Sequence, residues 1–148
     1  MFGSISTDTA TIDAPPDVVW AVYSDIEHWP EWTASVTTAR LEPSGPLALG
    51  SRASIKQPRF PRVTWTVTEL EPQRSWRWAS HSVGAHTSAD HRLTPLEGGR
   101  TRVDLSIDQR GALGRPIGWL VKHITRRYLR MEAEGLQARS ESMAHPPS

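Results

Sequence analysis

The sequence predicts an α+β domain: an antiparallel sheet of about seven strands, two short helices after the first strand, and one long C-terminal helix. Three observations predict it. Apolar and polar residues alternate with period two through the middle of the chain. The segments between these runs are too short for crossover helices, which favours an antiparallel meander. The apolar period then changes to helical spacing from about Arg115 onward.

Each element has a local reason. Ser4 to Asp13 mixes β-branched and polar residues as a first strand does, and Pro15 and Pro16 end it. Proline is tolerated in a first helical turn, and Val18, Val19, Val22 and Tyr23 follow at helical spacing, so a short helix runs from Pro16 to Ser24. Pro30 fits a second helical turn that sets Trp29 and Trp32 on a shared side. Strands are expected at Ala34 to Glu42, Ser51 to Gln57, Val63 to Leu70, Ser75 to His81, His86 to Thr94 and Arg100 to Gln109. Gly45-Pro46, Gly50, Pro58 to Pro61, Glu71-Pro72, Gly84 and Gly98-Gly99 supply the turns between them. Between Arg115 and Met143, the residues Ile117, Leu120, Val121, Ile124, Tyr128, Met131, Gly135 and Ala138 recur at helical intervals. This is one amphipathic helix of roughly 40 Å, narrowed near its end for close packing by Gly135 and Ala138. Residues 1–143 form the single domain, and Ala144 to Ser148 is expected to be a frayed tail.

Composition excludes several functions. With 17 Lys and Arg against 16 Asp and Glu, the net charge of +1 offers no general attraction for nucleic acid. The absence of Cys removes disulfides, thiolate metal ligands and cysteine nucleophiles, and favours a cytoplasmic setting. No charged leader precedes an apolar run, and no apolar segment reaches the roughly 20 residues that span a bilayer, so a soluble protein without an integral membrane segment is expected. Seven Trp against two Phe and two Tyr is the unusual feature. Several of these rings are expected to line or close the interior.

The stretch Thr11 to Val36 joins Ile12-Asp13-Ala14, Pro15 and Pro16, Val18-Val19-Trp20, Asp25 and Trp29-Pro30-Glu31-Trp32. It resembles the opening of the START-like superfamily, in its polyketide cyclase/dehydrase and lipid-transport branch. The resemblance extends to Val63 to Trp78, Leu93 to Val103 and Tyr128 to Ser140, and so covers nearly the whole chain. It implies a helix-grip fold, with a bent antiparallel sheet wrapped around the long helix and an apolar cavity between them. It further implies a hydrophobic small-molecule ligand of polyketide, aromatic or lipid-like character.

Alternation puts Trp65, Val67, Trp76, Trp78, Val103, Leu105 and Ile107 on the inward face, opposite Ile124, Tyr128 and Met131. Of these, Trp65, Val67, Trp76, Trp78, Val103, Leu105, Ile124 and Met131 are the expected ligand-binding residues. The polar candidates are His81, His86, Asp90, His91, Arg92, His123 and Tyr128. If Leu93 points inward so does His91, which makes His91 the first candidate acid/base and Tyr128 the second, as a hydrogen-bond donor. His86 and His91 face opposite sides of a regular strand, and neither a HExxH nor a Cys cluster occurs, so no metal is expected. No cofactor motif, nucleophile elbow or phosphate-cradling loop is present either. Lys122, Arg126 and Arg130 form a basic row on the last helix, followed by Glu132, Glu134 and Glu141, and read as a solvated face. Glu27, His28 and Glu31 are candidates to guard a pocket entrance. The functional expectation is ligand binding, with cofactor-free cyclisation and dehydration as its catalytic extension. The alternatives are a noncatalytic carrier or sensor of a lipid, quinone or isoprenoid, and an interaction domain whose cavity is closed by tryptophan. The oligomeric state is left open.

Overall fold

The computed structural model describes residues 2–82, 85–111 and 115–146. Strand β1 (Phe2–Ile12) is followed by helix α1 (Pro16–Tyr23) and a 3₁₀ segment (Ile26–Glu31). Strands β2 (Thr38–Glu42), β3 (Arg52–Lys56), β4 (Val63–Glu71), β5 (Ser75–Ser82), β6 (Ala85–Leu96) and β7 (Arg100–Gly111) come next, and helix α2 (Arg115–Ala144) closes the chain. All strand pairs are antiparallel and form one seven-stranded sheet in the order β1-β7-β6-β5-β4-β3-β2. The meander runs from β2 to β7, and β1 returns to pair β7 along its whole length. No helix among the described residues is long and apolar enough to cross a membrane.

The sequence pattern explains most of these elements. Proline at the start of α1 needs no backbone N–H there, and the carbonyl of Pro15 accepts from the N–H groups of Val18 and Val19. The turn from β6 to β7 places Gly98 and Gly99 at φ of 78° and 71°, a left-handed backbone that side-chain-bearing residues resist. β2 starts at Thr38 and not at Ala34, because the residues before it serve the turn: the Thr33 hydroxyl bonds that of Ser35 at 2.7 Å, and Val36 N–H bonds the Thr33 carbonyl. The turn expected at Gly84 lies outside the described residues.

Strand phase follows the alternation. Val67, Trp76, Trp78, Leu93, Val103 and Leu105 are buried, and Trp65 is half-buried against Trp78. A bulge between Val67 and Glu69 flips β4, so Leu70 beyond it turns back toward the core and Glu69 turns out to meet Arg77. No such shift interrupts β6, and His91 stays inward with Ala89 and Leu93.

Helix α2 departs from expectation in its rotation. Its buried face is Thr125, Leu129, Glu132, Ala133, Leu136 and Ser140. The expected stripe is displaced: Ile124 is at its edge, Tyr128 and Met131 are half-buried, Ala138 is exposed, and Ile117 and Leu120 stand 59 % and 49 % exposed. Small residues explain the rotation. Ala133 and Gly135 let the helix backbone approach α1 and its following turn, and a Cβ at Gly135 would overlap the Trp32 carbonyl oxygen. Of the tail expected from Ala144 onward, residues 144–146 are described. Ala144 packs on the core, the His145 N–H bonds the Glu141 carbonyl, and the His145 ring bonds the Asp13 carbonyl oxygen at 2.9 Å.

Candidate functional site

The site grows from the aromatic residues that the sheet and the Trp29 turn bring together. Trp76 and Trp78 are two apart on β5 and share its inward face, while Trp29 is delivered from the 3₁₀ segment and anchored by its indole N–H, which donates to the Tyr23 carbonyl at 2.8 Å. Tyr23 lies at the end of α1, four residues beyond Val19 and on the same buried face. Its ring stacks on Trp29 at 5.5 Å and meets Trp76 edge-on at 4.7 Å. Six of the seven tryptophans belong to the core or pack against it.

His91 is inserted into this cluster from β6. Its ring stacks on Trp76 at 3.9 Å and 11°, and its Nδ1 is 3.2 Å from the Trp76 carbonyl oxygen. A carbonyl only accepts, so Nδ1 carries the proton and Nε2 keeps a free lone pair. Burial drives the pKa of this ring down to about 3. His91 is therefore a neutral imidazole at any ordinary pH.

Opposite it, α2 presents Glu132, which is buried and accepts a hydrogen bond from the Tyr23 hydroxyl. Burial raises the Glu132 pKa to about 7, against a smaller lowering by the Tyr23 bond. Burial and the neighbouring carboxylate likewise hold the Tyr23 phenol well above its usual range. Glu132 and His91 line the same small cavity, with Trp29, Trp65, Trp78, Leu105 and Leu129 around them. The room left is about 40 Å³. That accommodates a few waters at most, whereas pockets for drug-sized ligands run to roughly 300–1,000 Å³. A larger hollow of about 360 Å³ lies among Glu69, Glu71, Arg77, Asp90 and Arg92, where charged side chains suit no apolar guest.

The expected residues divide accordingly. Trp65, Trp78, Leu105 and His91 line the cavity; Val67, Trp76 and Val103 are buried behind it. The rotation of α2 takes Ile124, Tyr128 and Met131 out of the lining and puts Leu129 and Glu132 in it. Tyr128 is no partner to His91: its hydroxyl donates to the Pro58 carbonyl, and its ring meets Phe60 edge-on at 5.8 Å. Glu27 accepts from the Leu41 N–H, Glu31 pairs with Arg139 at 2.9 Å and His28 with Asp25 at 2.8 Å, so these three brace loops. Tyr23 and Glu132 were missed as chemistry. The signal for Glu132 is its position three residues after Leu129 and four before Leu136, inside the buried stripe. Among the described residues no group of three or more metal-binding side chains forms.

Comparison with known proteins agrees with this architecture. The family described as polyketide cyclase / dehydrase and lipid transport matches residues 5–141. No curated protein matches the chain at a significant level. Among solved structures, it is similar to the Zhui aromatase/cyclase from a Streptomyces species, with TM-score 0.77 and 18% identity over 98% of both chains. A START superfamily protein from Mycobacterium smegmatis superposes with TM-score 0.76 and 17% identity, over 94% of this chain and 98% of that one. Norcoclaurine synthase from Thalictrum flavum gives TM-score 0.76 and 12% identity, over 97% of this chain and 98% of that one. At these identities the likeness speaks for the fold, and the family match speaks for descent. With that match running over residues 5–141, the chain belongs to the polyketide cyclase/dehydrase and lipid transport family and has its START-like, helix-grip fold.

Proposed function

We propose that this protein takes a planar, largely apolar molecule bearing a carbonyl or hydroxyl group into the space between sheet and α2, and moves a proton on it. The observation that carries the reading is the buried Glu132, lining the cavity with His91 and held at a pKa near 7. The indoles of Trp29, Trp65 and Trp78 supply flat apolar walls with little rotamer entropy to lose, and a hydroxyl of the guest donates to the bare His91 Nε2, with Glu132 beside it. A guest larger than water needs the half-buried Trp65 to swing outward, since about 40 Å³ is open.

The chemistry suited to this pair is aldol cyclisation and dehydration without a cofactor, as the family name suggests. The Glu132 carboxylate accepts a proton from a carbon flanked by carbonyl groups, and the resulting enolate carbon bonds to a second carbonyl carbon. The new alkoxide takes the proton back from Glu132; loss of that hydroxyl with a neighbouring proton releases water and leaves a double bond. A pKa near neutrality suits both transfers. His91, neutral and fixed on Trp76, orients the substrate by accepting at Nε2 a hydrogen bond from one of its hydroxyl groups.

Titration with 1-naphthol, a flat aromatic with one hydroxyl, tests the binding step. Saturable quenching of tryptophan fluorescence is expected, weakened about tenfold in Glu132→Gln and His91→Leu through loss of one charged or buried hydrogen bond each. Native mass spectrometry of protein from its own host should reveal a retained aromatic or polyketide-like guest. A second reading, a closed domain that works through its surface, draws on the small cavity; absence of both quenching and retained ligand selects it. Retention of a ligand with no turnover of it selects a carrier.

A further inference from the structure

The first turns of α2 carry a surface that the interior does not explain. Ile117 is 59 % exposed, Trp119 69 % and Leu120 49 %, all within one helical turn. Trp119 is the one tryptophan outside the core cluster, and its ring stacks on His123 at 5.7 Å and 10°. Leaving so much apolar area in water forgoes a favourable burial term, and concentrated exposure of this kind marks a contact surface.

Just beyond this tip the helix becomes basic. Lys122, Arg126 and Arg127 have no carboxylate within ion-pair distance among the described residues, whereas Arg130 is engaged by Asp8 at 3.5 Å and Glu134 at 3.4 Å. From Gln109 to Met131 the sequence contains no Asp or Glu. At about 100° per residue, Leu120 and Arg127 fall opposite the buried Leu129 and Glu132, while Trp119 and Arg126 lie on the flank of the buried face and are exposed. The apolar group and the centre of the cations are separated by roughly 10 Å along the axis.

We infer that the first turns of α2 dock on an anionic lipid bilayer, with Ile117, Trp119 and Leu120 at the acyl boundary and Lys122, Arg126 and Arg127 at the phosphates. An apolar tip followed by a basic collar is segregation by depth, the order in which a bilayer presents its layers, and tryptophan favours that interface. A protein partner would call for an apolar centre ringed by polar groups. A second copy meeting this face about a two-fold axis would bring like charges together. The inference does not depend on the interior reading, because none of these side chains lines the cavity.

Co-sedimentation of the full chain with vesicles tests it. Binding is expected to vesicles of phosphatidylcholine mixed with phosphatidylglycerol, to weaken as salt is raised, and to be far weaker with phosphatidylcholine alone. Arg126→Gln with Arg127→Gln should lower binding roughly 30-fold, and Trp119→Ser with Leu120→Ser should abolish it. Circular dichroism of these exposed-site variants should match the parent. Comparison of the parent with Trp119→Phe isolates Trp119 emission, which should shift to the blue on the mixed vesicles. No sedimentation, equal binding to both vesicle types, or variants that bind like the parent overturn the inference. A self-associated parent made monomeric by Trp119→Ser and Leu120→Ser overturns it too, in favour of a second copy.

Discussion

The two halves of helix α2 obey opposite rules on one continuous backbone. Beyond Ile124 the helix buries Leu129, Ala133 and Leu136 and even a carboxyl, Glu132; before it, Ile117, Trp119 and Leu120 face water. Hydrophobicity alone does not place a side chain. Ala133 and Gly135 admit the second half to the surface of α1 and the Trp29 turn. The helix thus keeps a carboxyl inside and its largest apolar residue outside, the reverse of what hydrophobicity alone would place.

The largest expected effects come from the two buried titratable groups. Glu132 rises from an ordinary value of 4.5 to about 7, so between those limits the folded state holds a proton the unfolded chain releases, and stability falls as pH rises, by up to about 3 kcal/mol. His91 drops from 6.5 to about 3; over that range the unfolded chain takes up a proton the folded state refuses, and stability falls as pH falls, by up to about 5 kcal/mol. Between 4.5 and 6.5 the two slopes cancel. Denaturant titrations across pH should therefore show a plateau with an alkaline shoulder that disappears in Glu132→Gln and an acid shoulder that disappears in His91→Gln. An alkaline shoulder that survives Glu132→Gln would mean that another group titrates there.

Next in size is the packing contrast. Leu136 is fully buried, so Leu136→Ala should cost about 2–5 kcal/mol through lost transfer energy and a residual cavity. A denaturation midpoint unchanged from the parent would break the comparison at its inner half. Between the halves in magnitude stands the Arg139–Glu31 pair, at 2.9 Å but well exposed on both sides. Arg139→Ala should cost no more than about 1 kcal/mol, and less in high salt; a larger, salt-independent loss would assign Arg139 a packing role.

Sequence pattern made the sheet legible because alternation is a local signal: Trp76, Trp78, His91, Leu93, Val103 and Leu105 all face inward as the period of two requires. The helix was harder. Its apolar residues extend around more than one face, and which face is buried depends on where the Trp32 backbone comes close to Gly135, a tertiary fact with no local trace. The inward orientation of His91 was legible through its neighbour Leu93. Glu132 was not, since a carboxylate among Glu134 and Glu141 reads as solvated until the stripe on either side of it is known. Tyr128 was assigned to the interior by the same error of rotation.

The smallest effects belong to the outer half. Trp119→Ser and Leu120→Ser remove side chains that folding leaves largely in water, so each should change stability by less than about 0.5 kcal/mol, measured by denaturant unfolding. Acrylamide should quench Trp119 most readily, the half-buried Trp20, Trp32 and Trp65 less, and the buried Trp29, Trp76 and Trp78 least, and Trp119→Phe should remove the most accessible fraction. If Leu120→Ser instead costs as much as Leu136→Ala, the first turns are packed in solution, and the asymmetry along α2 gives way to a helix buried over its full length. Near-neutral stability together with accessible Trp119 would leave the apolar tip with no role in folding, which is the condition for it to serve a contact made after folding is complete.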